Sequence, residues 1–270
     1  MNFRTVNLTP RIGTEIQSDP DTLLSGAAAA EIRRLLAERG VLVFRKLAFD
    51  GPQQVAFAKT LGDVLPQGEN YIMKISLDKN ENAGAEYLKG SFYWHIDGAT
   101  DDVPTRAALL TAKKLSDTGG QTEFANTYAA YEDLPESEQA ALSPLRVVHS
   151  FETAQRMVNP EPAYSELQMW QRMTPKIHPL VWKHQSGRKS PVLGATASHI
   201  EGMSLEAGRA ALCRVLEWTT QPQFVYQHHW QLGDLLIWDN TGVMHRVQPY
   251  ALDSGRMMHR TTLVGEEALA

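Results

Sequence analysis

A chain of 270 residues with 43% hydrophobic content can bury a full core and is most simply one domain spanning 1–270. Its net charge of −5, with the basic residues scattered, leaves no electrostatic footprint for nucleic acid. The single cysteine, Cys213, excludes an intrachain disulfide. Met1-Asn2-Phe3-Arg4-Thr5-Val6 lacks an apolar signal region and no run approaches membrane-spanning length, so a cytoplasmic protein without a membrane partner is expected.

In chain order, residues 26–39 have the alanine, leucine and arginine content of a helix ended by Gly40, followed by the apolar strand Val41-Leu42-Val43-Phe44. A second helix is predicted over 52–61 and a strand over 71–77. The polar stretch 78–91 reads as irregular, and Phe92-Tyr93-Trp94 after it as extended. A strand over 106–115, a helix over 127–142 and a strand over 145–151 come next. A second irregular stretch, 153–176, carries Met157, Tyr164, Met169, Trp170 and Met173; of these, Tyr164 and Trp170 are the two most worth testing as lid residues. Strands are expected over 179–184, 191–193, 224–230 and 235–238, with a hairpin around 185–188 and a helix over 204–218 that holds Cys213. Many short strands with a few helices outside fit a mainly β fold with flanking helices, the double-stranded β-helix (jelly roll, cupin-like), with 78–91 and 153–176 as lids over its open end.

Two segments carry the chemistry: Trp94-His95-Ile96-Asp97-Gly98, and Gly233-Asp234 running through Trp238-Asp239-Asn240 to His245. On an extended segment His95 and Asp97 leave the same face, and His245 can supply a third ligand from a later element. Two histidines and a carboxylate on one side of a metal leave the opposite positions open, as iron(II) needs to bind a cosubstrate and dioxygen. From His-x-Asp alone the alternative stands about level: Asp97 caps a turn before Gly98 and His95 is an interior histidine.

The chain resembles the taurine dioxygenase (TauD/TfdA) family. Its members carry Trp-His-x-Asp, then Gly-Gly-x-Thr, then Trp-Asp-Asn leading to the distal histidine, then paired arginines. Here these are Trp94 to Asp97, Gly119 to Thr122, Trp238 to His245, and Arg256 with Arg260, in the same order and spacing over most of the chain. The resemblance implies an Fe(II)- and 2-oxoglutarate-dependent dioxygenase with O2 as the second cosubstrate. His95, Asp97 and His245 hold iron, 2-oxoglutarate chelates it, and Thr122 and Arg256 hold the far carboxylate. An arginine fork donates two parallel charge-assisted hydrogen bonds to such a group, which a lysine does less well. Arg260 is expected to meet the acidic group of the prime substrate, or else to pair with an interior acid such as Asp234 or Glu152. The presence of Asp97 argues against a halogenase.

Departures from the family pattern bear on the substrate. Gln67 stands where taurine-specific members place a histidine, Gly98 where a larger residue often sits, and Gly194-Ala195-Thr196-Ala197 in place of an aromatic wall. The expected substrate-contacting set is Arg260, Gln67, Gly98, Phe151 and Thr196. The expected substrate is an anionic small molecule, bulkier and more apolar than taurine, oxidised at a C-H bond by hydroxylation, with cleavage, desaturation or epoxidation as further outcomes. The competing classes are a zinc hydrolase on a cupin-like scaffold, a non-catalytic 2-oxoglutarate or ligand-binding protein, and a storage-type cupin. Family members often associate, so homo-oligomer formation stays open.

Overall fold

In the computed structural model, which describes residues 3–269, the chain opens with an antiparallel pair, β1 (Phe3–Asn7) and β2 (Thr14–Ser18). Helix α1 (Pro20–Leu24) starts at Asp19, whose carboxylate accepts from the Thr22 amide at 2.8 Å. Helix α2 (Ala29–Arg39) ends at Gly40, where φ is 71° and an added Cβ would lie 2.7 Å from Val243. Strand β3 (Val41–Phe44) is buried throughout, and α3 (Gly51–Leu61) starts from a reciprocal Asp50 and Gln53 cap. The helices expected over 26–39 and 52–61 are thus present, whereas β1, β2 and α1 are additional.

Strand β4 (Met73–Ile75) is shorter than the expected 71–77, because Asn70 and Tyr71 are left-handed, with φ of 54° and 65°. Residues Tyr87–Phe92 form a 3-10 turn, so extended backbone begins only at Tyr93 rather than at Phe92. Strands β5 (Ala107–Lys114) and β6 (Thr122–Asn126) lead to α4 (Thr127–Glu132) and α5 (Glu136–Leu142). The single helix expected over 127–142 is divided before Pro135, which disfavours helical backbone at Leu134. After β7 (Arg146–His149) come α6 (Phe151–Val158), capped by Ser150, and α7 (Tyr164–Gln171). Most of 153–176 is therefore helical, not irregular, and Phe151 opens a helix instead of ending a strand.

Strands β8 (Lys176–Pro179), β9 (Val181–Lys183), β10 (Lys189–Pro191) and β11 (Ala197–Ile200) follow; β9 and β10 pair as the expected hairpin, and Pro191 ends a strand instead of starting one. Helix α8 (Leu205–Thr219) is capped by Ser204, and the chain finishes with β12 (Val225–His228), β13 (Leu235–Asp239), β14 (Val243–Val247) and β15 (Met257–Leu263).

These elements make a mixed α/β fold with four sheets among the described residues. One sheet has seven strands in the order β1-β2-β3-β13-β5-β15-β4, two have three strands (β12-β6-β14 and β11-β7-β8), and β9-β10 is the fourth. The period-two rule operates on fully buried β13: Leu235 and Ile237 pack with Ile32 of α2 and Phe57 of α3, while Leu236 and Trp238 pack with Ile12 and Phe124. Trp238 meets Phe124 of β6 at 5.7 Å between ring centres, so the large sheet and the β12-β6-β14 sheet face one another there.

Candidate metal centre and its cavity

His95 and His245 meet through an isolated antiparallel bridge: the His95 amide donates to the His245 carbonyl at 3.0 Å, and the reverse bond is 2.9 Å. Their rings lie 4.1 Å apart between centres. Asp97 completes the group, with Oδ1 3.7 Å from His95 Nε2 and Oδ2 3.8 Å from His245 Nε2. One donor atom from each of the three lies within 4.8 Å of the others. The His95 ring is fixed by a 2.9 Å contact from Nδ1 to the Tyr93 carbonyl; Nδ1 carries the proton there, so Nε2 presents its lone pair to the cluster. Trp238 packs against the His245 ring at 4.7 Å.

Electrostatics prepare the group for a cation. Burial by itself would raise the Asp97 pKa, but Arg260, His245 and His95 outweigh it and hold the carboxyl at about 2. Burial, helped by His95 and Arg260, pushes His245 down to about 3 against the pull of Asp97. Two imidazoles beside an ionised carboxylate, bordering a cavity, fit an iron(II) that keeps positions open.

The Trp-Asp-Asn segment holds this geometry. Buried Asn240 accepts from the Asp97 amide at 3.0 Å and donates to the Asp97 carbonyl at 2.5 Å and to the Thr105 carbonyl at 3.1 Å. Asp239 pairs with Arg106 at 2.5 Å and accepts from the Thr241 hydroxyl at 2.6 Å. Asn240→Ala releases the Asp97 backbone, and iron affinity measured against a competing chelator is expected to fall by about 10–100-fold.

Gly98 and Gly194 have backbone reasons to be glycine. Gly98 lines the cavity with φ of 77°, and a Cβ there would lie 3.1 Å from Asp101 Oδ2. At Gly194, φ is 103° and a Cβ would lie 2.6 Å from the Trp94 carbonyl oxygen and 2.8 Å from His95 Cα, so only glycine allows this backbone to lie against the ligand strand.

The cavity beside the three ligands measures about 310 Å³ and is lined by Thr122, Arg256, Arg260, Phe151 and Thr196 among others. Arg256 is only 3% exposed yet has no carboxylate partner among the described residues. Its Nη2 donates to the Gly120 carbonyl at 3.2 Å, its Nε is unpaired, and its guanidinium lies 4.8 Å from the Tyr250 ring centre. Burial lowers its pKa. Gly120 gives it room, since a Cβ there would come within 3.0 Å of Nε. The buried Thr122 hydroxyl accepts from Trp230 Nε1 at 2.9 Å, which leaves its own proton free for an acceptor.

Arg260 pairs with Asp97 itself, Nη1 to Oδ2 at 3.3 Å, and its Nε is unpaired. The interior acids weighed as partners are engaged elsewhere: Asp234 with Arg45 at 2.8 Å and His228 at 3.1 Å, and Glu152 with Arg156 at 2.7 Å. Gln67 is not brought to the metal. It lines a separate cleft of about 1080 Å³ with Lys59, Tyr71 and His259, because its loop returns to β4 at the edge of the large sheet. Tyr164 is 74% exposed, Trp170 is 2% exposed, and neither lines the metal cavity. Lining residues that sequence reasoning missed include Tyr87, Leu88, Leu110, Gln155 and Tyr250. Tyr87, Leu88 and Gln155 fall within the two expected lids, which was the available signal.

Thr196 Oγ1 lies 2.9 Å from His149 Nδ1, and burial, with His178 nearby, pushes His149 down to about 3. Below its ordinary value of about 6.5 the unfolded chain binds a proton that the folded chain refuses. The stabilisation is therefore present above pH 6.5 and is lost as pH falls toward 3. His149→Gln keeps the bond to Thr196 and is expected to reduce the loss of stability between pH 7 and pH 5 by about 2 kcal/mol, read from denaturant melts at the two pH values.

Comparison with known proteins agrees with this site. Residues 4–262 match the family described as "Taurine catabolism dioxygenase TauD, TfdA family". The alpha-ketoglutarate-dependent 2,4-dichlorophenoxyacetate dioxygenase of Burkholderia sp. (strain RASC) is 37% identical over 261 residues, covering 90% of this chain and 87% of that one. The enzyme of the same description from Cupriavidus pinatubonensis is 36% identical over 262 residues, covering 90% and 91%. The crystal structure of AAD-2 in complex with Mn(II) and N-oxalylglycine superposes with a TM-score of 0.86 at 32% identity over 100% of both chains. No helix among the described residues is long and apolar enough to cross a membrane. With His95, Asp97 and His245 as its metal triad, the chain belongs to the TauD/TfdA family and is an alpha-ketoglutarate-dependent non-haem iron dioxygenase.

Proposed function

We propose that the enzyme hydroxylates an organic anion with a bulky apolar body, of the aryloxyacetate class, at the carbon next to the ether oxygen. The observation that carries this is Arg260, a half-buried guanidinium with an unpaired Nε in a cavity whose apolar lining includes Ile75, Leu88, Leu110 and Phe151. The 2,4-dichlorophenoxyacetate dioxygenases among the relatives act on a molecule of this description.

The chemistry supplied by iron(II), when bound, is the activation of dioxygen coupled to conversion of 2-oxoglutarate into succinate and carbon dioxide. Arg256 and the Thr122 hydroxyl hold the distal carboxylate of 2-oxoglutarate, with Tyr250 stacked on the guanidinium. Arg260 takes the substrate carboxylate, and the apolar wall excludes water from the reacting carbon. Hydroxylation next to the ether oxygen makes a hemiacetal. Its C-O bond breaks, the proton goes to the phenolate, and a phenol and glyoxylate leave. The large sheet and the β12-β6-β14 sheet would form the two halves of a double-stranded β-helix in one domain over 1–270. The 3-10 turn and α6 would act as lids, since Tyr87 meets Phe151 at 5.8 Å between ring centres.

Arg260→Gln is the test. Loss of a charge-assisted hydrogen bond is expected to raise KM for phenoxyacetate by about 10–100-fold with iron affinity unchanged. A variant that binds iron more weakly while KM for phenoxyacetate stays at the wild-type value would assign Arg260 to Asp97 alone and overturn the reading.

A further inference from the structure

A second pocket of about 540 Å³ shares Ala195 and Arg246 with the metal cavity. Its apolar surface comes from Trp94, Leu193, Leu212 and Leu216, and its charged groups are Arg156, Arg209 and Arg246; no carboxylate among the described residues lines it. Two of these cations are neutralised from outside the pocket. Arg246 is held by Glu123 at 2.6 Å and lies 4.7 Å from the Trp94 ring centre, and Arg156 is held by Glu152 at 2.7 Å. Arg209 differs. Its one hydrogen bond among the described residues is a long contact from Nε to the Ser198 carbonyl at 3.4 Å, and it has no carboxylate partner. Both terminal nitrogens of its guanidinium are free to donate.

We propose that this pocket is a second binding site, separate from the metal cavity, for an organic monoanion with an aromatic or branched apolar body. The ring lies against Trp94, Leu212 and Leu216, and the carboxylate takes the fork of Arg209. Charge complementarity selects this occupant: an apolar floor beside the one guanidinium without a carboxylate partner disfavours cations, and a carboxylate takes two charge-assisted bonds from the Arg209 fork where a neutral carbonyl takes only a weaker one. The site abuts the catalytic machinery, because Trp94 precedes His95 and its carbonyl accepts from the Ala195 amide at 2.8 Å.

Cys213 makes the proposal directly testable, since it is the only cysteine in the chain, is exposed and lines this pocket. The experiment is the rate of Cys213 alkylation by iodoacetamide on the full-length iron-loaded protein, with 1-naphthoate or its neutral analogue 1-naphthamide. Naphthoate is expected to slow alkylation about tenfold and naphthamide to leave it unchanged. In Arg209→Glu the protection disappears, while the melting temperature and succinate formation stay at wild-type values. Equal alkylation with and without naphthoate, equal protection by the amide, or protection that survives Arg209→Glu would each overturn the proposal. So would alkylation that slows with protein concentration alone, which would give the groove to a second copy of the chain.

Discussion

His95→Ala is expected to lower succinate formation by more than about 1000-fold and to yield protein that no longer retains iron. The reason is geometric: the cluster consists of His95, Asp97 and His245, and no fourth histidine, cysteine or acid among the described residues joins it to replace a lost imidazole. The variant should still fold. The bridge between residues 95 and 245 is made by backbone amides and carbonyls at 3.0 and 2.9 Å, so it survives removal of the imidazole. Melting curves recorded without iron should therefore agree within about 1 kcal/mol, a small change typical of substitutions that break no packed network. A variant that keeps both iron and turnover would remove His95 from the ligand set.

Arg256→Leu carries the second large effect, a rise in KM for 2-oxoglutarate of about 100-fold or more, as expected from losing a buried bidentate partner of a carboxylate. The same substitution should leave the ligand-free protein as stable as the wild type, or more so. In that state Arg256 is a buried cation whose Nε has no partner, and replacing an unpaired buried charge by an apolar side chain removes a desolvation cost. Weaker cosubstrate binding together with retained stability is a combination that a purely structural arginine would not produce. Arg256→Lys keeps the charge but loses the planar fork, so its KM should fall between those of the wild type and the leucine variant.

Much of the site was legible because its parts are short and chemically specific. His-x-Asp, Trp-Asp-Asn and the late arginines each need only a few adjacent residues to be recognised, and the fold then brings them to one cavity. Helices with clear stop signals were legible for the same reason, as Gly40 shows at the end of α2. Other features depend on what lies across space. Gly98 and Gly194 stand where the family often carries larger residues, and the close backbone of Pro104, in the one case, and of Trp94 and His95, in the other, shows only in space. Gln67 stands at a family-like offset but lies at a different cleft, because the direction in which an edge loop returns to its strand leaves no trace in composition. Two misses were avoidable. Pro135 marks the break between α4 and α5, and Ser150 followed by periodic apolar residues marks α6. Strand β6 was harder, since four of its five residues are buried and only Phe124 and Ala125 are apolar, which leaves no alternation, although it carries Thr122 and lies at the centre of its sheet.

The most direct measurement is the stoichiometry of products from phenoxyacetate, 2-oxoglutarate and O2 with the iron-loaded enzyme. The account predicts succinate, phenol and glyoxylate in equal amounts, all lost in His95→Ala. Succinate formed at the same rate with and without phenoxyacetate, and no phenol, would contradict it.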